Sequence, residues 1–413
     1  MIGRKKPEIV VGLDIGSTKI CAIVGELLPD DDLRIVGVGT HPCHGLKKGV
    51  MVDMDRTVAS IRRAIDEAQM MTGIDIDSAY VGIAGGHIMG INSYGVVALK
   101  DQEITLREID QVIEVARAVA LPVDREVIHV LPQEYIVDDQ TGILDPLGMT
   151  GKRLEAKVHI VTAAVASAHN LVRCVEKAGL DVEDIVLAPL ASGEVVLTPD
   201  ERERAVVVID IGGGTTDIVL LIGNGVRHTA VLAVGGKHIT NDLAFGLNVP
   251  APEAERLKQE HGCASGALVD SWETVEVHGA AEHRVHRLKR RELSHIIEPR
   301  IREMLQLAWY EVTQSGQADG LPVEVVLTGG TALLHGITDL AEELFGVPVR
   351  CGMPTGVGGH MELVKSPAYA TGVGLLQYGV KQHPFGRFTK FGGDHLFARI
   401  YYRMREWFSE FMA

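Results

Sequence analysis

Basic residues are in deficit: 40 Lys and Arg stand against 55 Asp and Glu, a formal charge of −15. Nonspecific nucleic-acid binding draws most of its affinity from cations meeting phosphates, so that class is excluded unless a local basic patch exists. Cysteine is scarce too. Cys21, Cys43, Cys174, Cys263 and Cys351 are odd in number, widely spaced and never arranged as C-x-x-C, which excludes a disulfide framework or zinc site and points to a reducing cytosol. No uncharged run reaches the roughly 18 to 20 residues that a helix needs to cross a bilayer. Residues Met1 to Glu8 are basic, but the apolar run after them is broken by Asp14, so no signal peptide is read there. What the chain does have is length and apolar content, 413 residues at 46% hydrophobic, enough for two or more domains with large cores.

It also contains one pattern twice. Val10-Val11-Gly12-Leu13-Asp14-Ile15-Gly16-Ser17-Thr18-Lys19-Ile20 and Val207-Val208-Ile209-Asp210-Ile211-Gly212-Gly213-Gly214-Thr215-Thr216-Asp217-Ile218 are each an apolar strand ending in Asp-Ile-Gly, a Ser/Thr-bearing turn and a second apolar run. Glycine lets backbone turn tightly beneath a phosphate, N–H groups and hydroxyls donate to its oxygens, and the Asp faces a cation through water. Two facing copies predict a clamp around a nucleotide polyphosphate.

Residues 9–40 read as three strands, followed by a helix over 54–71 with apolar Val58, Ile61, Ile65 and Ala68 and a cap at Asp53, then a buried strand over 79–84. Residues 85–160 differ in texture and read as an inserted subdomain. Val158 to Val165 is expected to resume a core strand. The second half repeats the theme with strands over 205–211, 217–222 and 226–234. Residues 236–320 read as mostly helical, and the basic run Arg284, Arg287, Lys289, Arg290 and Arg291 as a solvated helix face. Residues 379–393 read as a linker.

Five segments stand in a telling order: the loop at 12–20, a connecting helix near 187–197, the loop at 208–218, Leu327-Thr328-Gly329-Gly330-Thr331-Ala332, and Pro367-Ala368-Tyr369-Ala370-Thr371-Gly372-Val373-Gly374. The order resembles the actin, sugar-kinase and heat-shock-chaperone ATPase superfamily. That resemblance implies an α/β, actin-like fold, with ATP held in a cleft between two ribonuclease-H-like lobes. Ser17 and Thr18 offer hydroxyls, and Lys19 a positive charge for the β- and γ-phosphates. Asp14 and Asp210 are expected to hold Mg²⁺ through water, and Gly212, Gly213, Gly214, Thr215 and Thr216 to wrap the other side. Gly329 and Gly330 would admit a purine, as the superfamily's adenosine loop does, with Thr331 near the next helix start. Arg256 and Glu260 are candidate ribose or adenine contacts. Residues 187–194 offer only Ser192 and Glu194 as polar groups for orienting water, and no catalytic residue is assigned.

At 100° per residue, Leu396, Phe397, Ile400, Tyr401, Met404, Trp407, Phe408, Phe411 and Met412 fall within an arc of about 160°, with Arg399, Arg403, Glu406, Ser409 and Glu410 opposite. From Lys381 onward the charge is +3, leaving −18 on the rest. Such a helix suits a bilayer interface, each basic residue adding about 1 kcal/mol on anionic lipid.

The duplicated loop, the insert and this tail together resemble the bacterial FtsA cell-division family over nearly the whole chain. The resemblance implies ATP-dependent actin-like filaments on the cytoplasmic face of the inner membrane, binding of the FtsZ C-terminal tail, and recruitment of later division proteins. It divides the chain into first-lobe core (1–84, 161–193, 352–378), insert (85–160), second-lobe core (194–240, 307–351), second-lobe helical subdomain (241–306), linker (379–393) and membrane helix (394–413). Ile296-Ile297-Glu298-Pro299-Arg300 looks like the FtsZ docking helix, with Arg300 as the contact to an acidic tail. A small-molecule kinase, a chaperone ATPase and a pilus-assembly scaffold of the same superfamily are the alternatives. The kinase would need a catalytic carboxylate facing the γ-phosphate, and the chaperone a following substrate domain.

Overall fold

The computed structural model describes residues 8–28, 32–100, 103–279 and 285–382. The first lobe begins with β1 (Glu8–Ile15), β2 (Lys19–Leu27) and β3 (Leu33–Pro42), an antiparallel meander. The short hairpin of β4 (Leu46–Lys47) and β5 (Val50–Met51) follows. Helix α1 (Met54–Thr72) starts at Asp53, whose side chain accepts from the Arg56 N–H, and stops at Gly73 in the left-handed region. It buries Val58, Ile61, Ala64, Ile65 and Ala68, the face the helical spacing demands. Strand β6 (Ser78–Ile83) then pairs parallel with β1.

The inserted segment comprises β7 (Met89–Ala98), α2 (Leu106–Arg117), β8 (Arg125–Val137), β9 (Gln140–Ile143) and β10 (Arg153–Ala164), with sheet order β7-β10-β8-β9. The insert's sheet runs past the expected boundary at 160. The core strand expected from 158 is the end of β10, which reaches Ala164 inside this sheet, with Val158, Ile160, Val161 and Ala163 buried in a core shared with the first-lobe strands. A strand buried on both faces reads alike in any sheet, so composition could not say which one it joins.

The chain returns through α3 (Val165–Ala178) to β11 (Asp181–Leu187), parallel to β6, and then α4 (Ala188–Val196). The second lobe starts with α5 (Pro199–Arg202) and strands β12 (Ala205–Ile211), β13 (Thr216–Ile222) and β14 (Gly225–Leu232). Helices α6 (Gly236–Leu247) and α7 (Ala251–His261), the hairpin of β15 (Thr274–His278) and β16 (Val285–Lys289), and α8 (Arg290–Gln314) follow. The lobe closes with β17 (Val323–Thr328), α9 (Ile337–Phe345) and β18 (Val349–Cys351). Finally β19 (Gly358–Gly359) and α10 (Ala370–Gln382) rejoin the first lobe.

The repeat in sequence becomes a repeat in space. The first sheet runs β11-β6-β1-β2-β3-β19 and the second β14-β13-β12-β17-β18. In both, three antiparallel strands are flanked by two parallel ones on the side of the first strand. Part of the basic run also departs from expectation: Val285 to Lys289 form strand β16, whose Arg287 pairs with Glu276 across the hairpin, while Arg290 and Arg291 enter a helix and Arg284 lies outside the described residues. The insert is not attached to the first lobe alone. His159 of β10 donates from Nδ1 to Asn92 Oδ1 at 2.7 Å and accepts at Nε2 from Thr229 of β14 at 2.8 Å, while Gln133 donates to Asn92 Oδ1 at 3.1 Å and to the Val226 carbonyl at 2.8 Å. Burial, with His228 nearby, holds His159 neutral by lowering its pKa to about 3.

Candidate functional site

The two Asp-Ile-Gly turns have the same local bond: Gly16 N–H donates to the Lys19 carbonyl and Gly212 N–H to the Thr215 carbonyl, each at 3.0 Å. They face one another across a cavity of about 700 Å³ between the lobes. Contact is through glycine. A Cβ on Gly213 would lie 2.3 Å from Thr18 Cγ2, and one on Gly214 2.6 Å from Ser17 Cβ. Ser17 Oγ accepts from the Gly49 N–H at 2.9 Å and keeps its own proton to donate.

Asp14, Asp210 and Asp217 line the floor. Burial raises the Asp14 carboxyl to about 6, with Lys19 opposing. Asp210 is raised to about 6 by burial and then by Asp14, against the hydroxyls of Thr371 and Ser192. Asp217 is raised to about 8 by burial and then by Asp210. Its Oδ2 accepts from Thr215 at 2.9 Å, while its Oδ1 is buried without a hydrogen-bond partner. Three desolvated carboxyls whose electrostatic costs a cation would relieve, one with an orphaned oxygen, fit a hydrated divalent ion.

Of the residues expected here, Asp14, Gly16, Ser17, Thr18, Lys19, Asp210, Gly212, Gly213, Gly214, Thr215, Gly329, Gly330 and Thr331 all line the cavity. Thr216 does not: strand alternation turns it away, and its hydroxyl donates to the Val234 carbonyl at 2.9 Å. The same alternation brings in Asp217, the last residue of the Thr-Thr-Asp run, which was not among the expected site residues. Lys19 is already engaged, donating to the Ala368 carbonyl at 2.9 Å and standing 3.7 Å from the centre of the Tyr369 ring. Gly329, at φ 84°, packs so that a Cβ would meet Asp210 Oδ1 at 2.3 Å. Thr331 is no helix cap; its hydroxyl ties the β17 turn to the Gly212 carbonyl at 3.2 Å.

Arg256 and Glu260 bond each other, and Arg256 also holds Glu253; neither lines the cavity. Helix α7 buries Ala254 and Leu257, which rotates Glu255, Lys258 and Gln259 to the opening instead. Lys258 donates to Glu255 at 2.8 Å, Thr240 at 3.0 Å and the Gly236 carbonyl at 3.3 Å. Those two apolar positions were the available signal for the correct face. Glu194 is occupied by Arg202 and Lys381.

Arg300, on α8, is held by Asp242 at 2.6 and 3.1 Å and by Glu303. Leu396, Phe397, Ile400, Tyr401, Met404, Trp407, Phe408 and Phe411 lie outside the described residues. Among the described residues no helix is long and apolar enough to cross a membrane.

Two family models match: "Cell division protein FtsA" over residues 207–374 and "SHS2 domain inserted in FTSA" over 85–162. The chain is 46% identical over 412 residues to cell division protein FtsA of Pseudomonas aeruginosa, covering 98% of this chain and 99% of that one. It is 40% identical over 390 residues to FtsA of Escherichia coli K12, covering 93% of each. Among solved structures, the PilM-PilN type IV pilus biogenesis complex matches with a TM-score of 0.65 at 18% identity, over 90% of this chain and 98% of that one. MreB5 of Spiroplasma citri bound to ADP matches at 0.52 and 13% identity, over 92% and 99%. At those identities the structural likeness shows the actin-like fold alone, whereas identity of 40% and 46% along nearly the whole length displaces the kinase, chaperone and pilus-scaffold alternatives. The chain belongs to the FtsA family of cell-division proteins.

Proposed function

We propose that this protein binds Mg²⁺-ATP between its lobes, polymerises as an actin-like filament on the cytoplasmic face of the inner membrane, and tethers FtsZ filaments there through their C-terminal tails while recruiting later division proteins. The observation that carries the reading is the pair of glycine turns meeting at Gly213 and Gly214 over the carboxyls of Asp14, Asp210 and Asp217. Backbone N–H groups of both turns, with the Ser17 and Thr18 hydroxyls, would bind phosphate oxygens. Magnesium, when bound, neutralises phosphate charge, and Asp14 and Asp210 would hold it through water. Lys258 and Glu255 line the cavity on the side of α7 and would contact a ribose or base. Membrane attachment rests on the amphipathic pattern and positive charge of 394–413.

Sedimentation with anionic liposomes, with and without Mg²⁺-ATP, tests the reading. The full chain should pellet with lipid, more so with nucleotide, and a chain lacking 394–413 should stay in the supernatant. Equal pelleting of the two chains would remove the tether.

A further inference from the structure

One residue touches both phosphate turns, and the duplicated motif did not contain it. Lys237, in the first turn of α6, donates its backbone N–H to the Gly213 carbonyl at 2.8 Å, and its ammonium crosses the cleft to the Ser17 carbonyl at 2.6 Å. The neighbouring Gly236 N–H donates to the Gly212 carbonyl at 2.9 Å, so the start of α6 is fastened to the second turn while the Lys237 side chain holds the first. Among the described residues, two other lysines line the cavity and are committed differently. Lys19 is held by the Ala368 carbonyl and the Tyr369 ring, and Lys258 is shared among Glu255, Thr240 and Gly236 within the second lobe.

We infer that Lys237 bridges the two phosphate turns and that its ammonium distinguishes a nucleoside triphosphate from a diphosphate by exchanging the Ser17 carbonyl for the terminal phosphate. This deepens the nucleotide reading of the cleft and rests on it. A neutral carbonyl is a weaker partner for an ammonium than a phosphate oxygen, because only the phosphate adds the attraction of an opposite full charge to the hydrogen bond. The exchange ends the direct bond to the Ser17 carbonyl, and a terminal phosphate held by both turns would then join Lys237 to the first turn in its place.

The test uses the full chain as wild type, K237Q, K237M and K237R, titrated with Mg²⁺-bound non-hydrolysable ATP analogue and with ADP. Amide hydrogen exchange over residues 16–19 is followed without added nucleotide. K237Q and K237M should lose about 10- to 100-fold in affinity for the triphosphate, the loss of a hydrogen bond to a charged group, with ADP affinity unchanged. K237R should retain most of the affinity. Exchange at 16–19 should be faster in K237Q and K237M than in wild type while the rest of the sheet stays protected, which also shows that the variants fold. Equal loss for both nucleotides, no loss for either, or unchanged exchange at 16–19 overturns the inference. Wild type binding neither nucleotide would instead overturn the reading of the cleft itself.

Discussion

Ser17 and Gly214, 197 positions apart in the chain, are in contact across the cleft: a Cβ on Gly214 would fall 2.4 Å from Ser17 Oγ and 2.6 Å from Ser17 Cβ. The second lobe therefore sets bare glycine backbone against the Ser17 side chain at the point where phosphates are proposed to bind.

Gly214→Ala should push the two turns apart. The Ser17 hydroxyl could rotate out of the way, but its Cβ is fixed to the backbone. Overpacking of this kind costs about 1–3 kcal/mol. The larger effect should be on nucleotide, with affinity falling at least about tenfold when one charge-assisted phosphate contact is lost. Fluorescent-nucleotide titration reads it, and wild-type affinity in the variant would show that the turns need not touch.

Asp217→Asn should stabilise the protein in a pH-dependent way. The folded carboxyl has its pKa raised from 3.8 to about 8, so the native state holds a proton that the unfolded state releases between those values. More protons on the native side means that stability falls as pH rises through the window, by up to about 1.4 kcal/mol per pH unit. The asparagine variant lacks this slope. Its Tm advantage over wild type should widen from about pH 4 to pH 8 and level off above. A constant difference across that range would mean that Asp217 is charged in the folded protein.

Asn92→Ala should loosen the insert from the second lobe. The side chain accepts from both His159 and Gln133 and donates to the Arg227 carbonyl at 3.2 Å. Its removal leaves buried donors unpaired, at about 1–3 kcal/mol. Denaturant unfolding should show the loss, with hydrogen exchange increased along β14; protection there equal to wild type would argue that the junction carries no stability.

Arg300→Glu should weaken binding of an FtsZ tail peptide, and the Asp242 ion pair supplies the control. Asp242→Arg added to Arg300→Glu rebuilds the pair with reversed polarity. The double variant should recover the Tm of wild type but not its peptide affinity. Recovery of both would make Arg300 a structural residue only.

Most of the fold was legible because burial imposes periodicity. The 3.6 spacing of α1, the three opening strands and the duplicated Asp-Ile-Gly turn all come from residues whose partners are close in sequence or whose pattern repeats. The lining of the cavity between the lobes was legible to the same depth, down to Asp14, Asp210 and the glycine turns. What escaped were choices of face and partner. Thr216 and Asp217 differ only in which side of β13 they occupy, Arg256 and Glu255 only in the rotation of α7, and the charge of Arg300 says nothing of Asp242, 58 positions away.

By itself the amino-acid sequence determined that there are two like halves, that each ends a strand in a phosphate-type turn, and that the charge divides between an acidic body and a basic, amphipathic end. Only the tertiary structure decided that Lys237 crosses the cleft, that Lys19 is held by Ala368, and that the insert is bonded to both lobes. The reason is range: hydrophobic periodicity is written along the chain, whereas a hydrogen bond or ion pair between distant segments depends on where the packed backbones bring them, which no local pattern encodes.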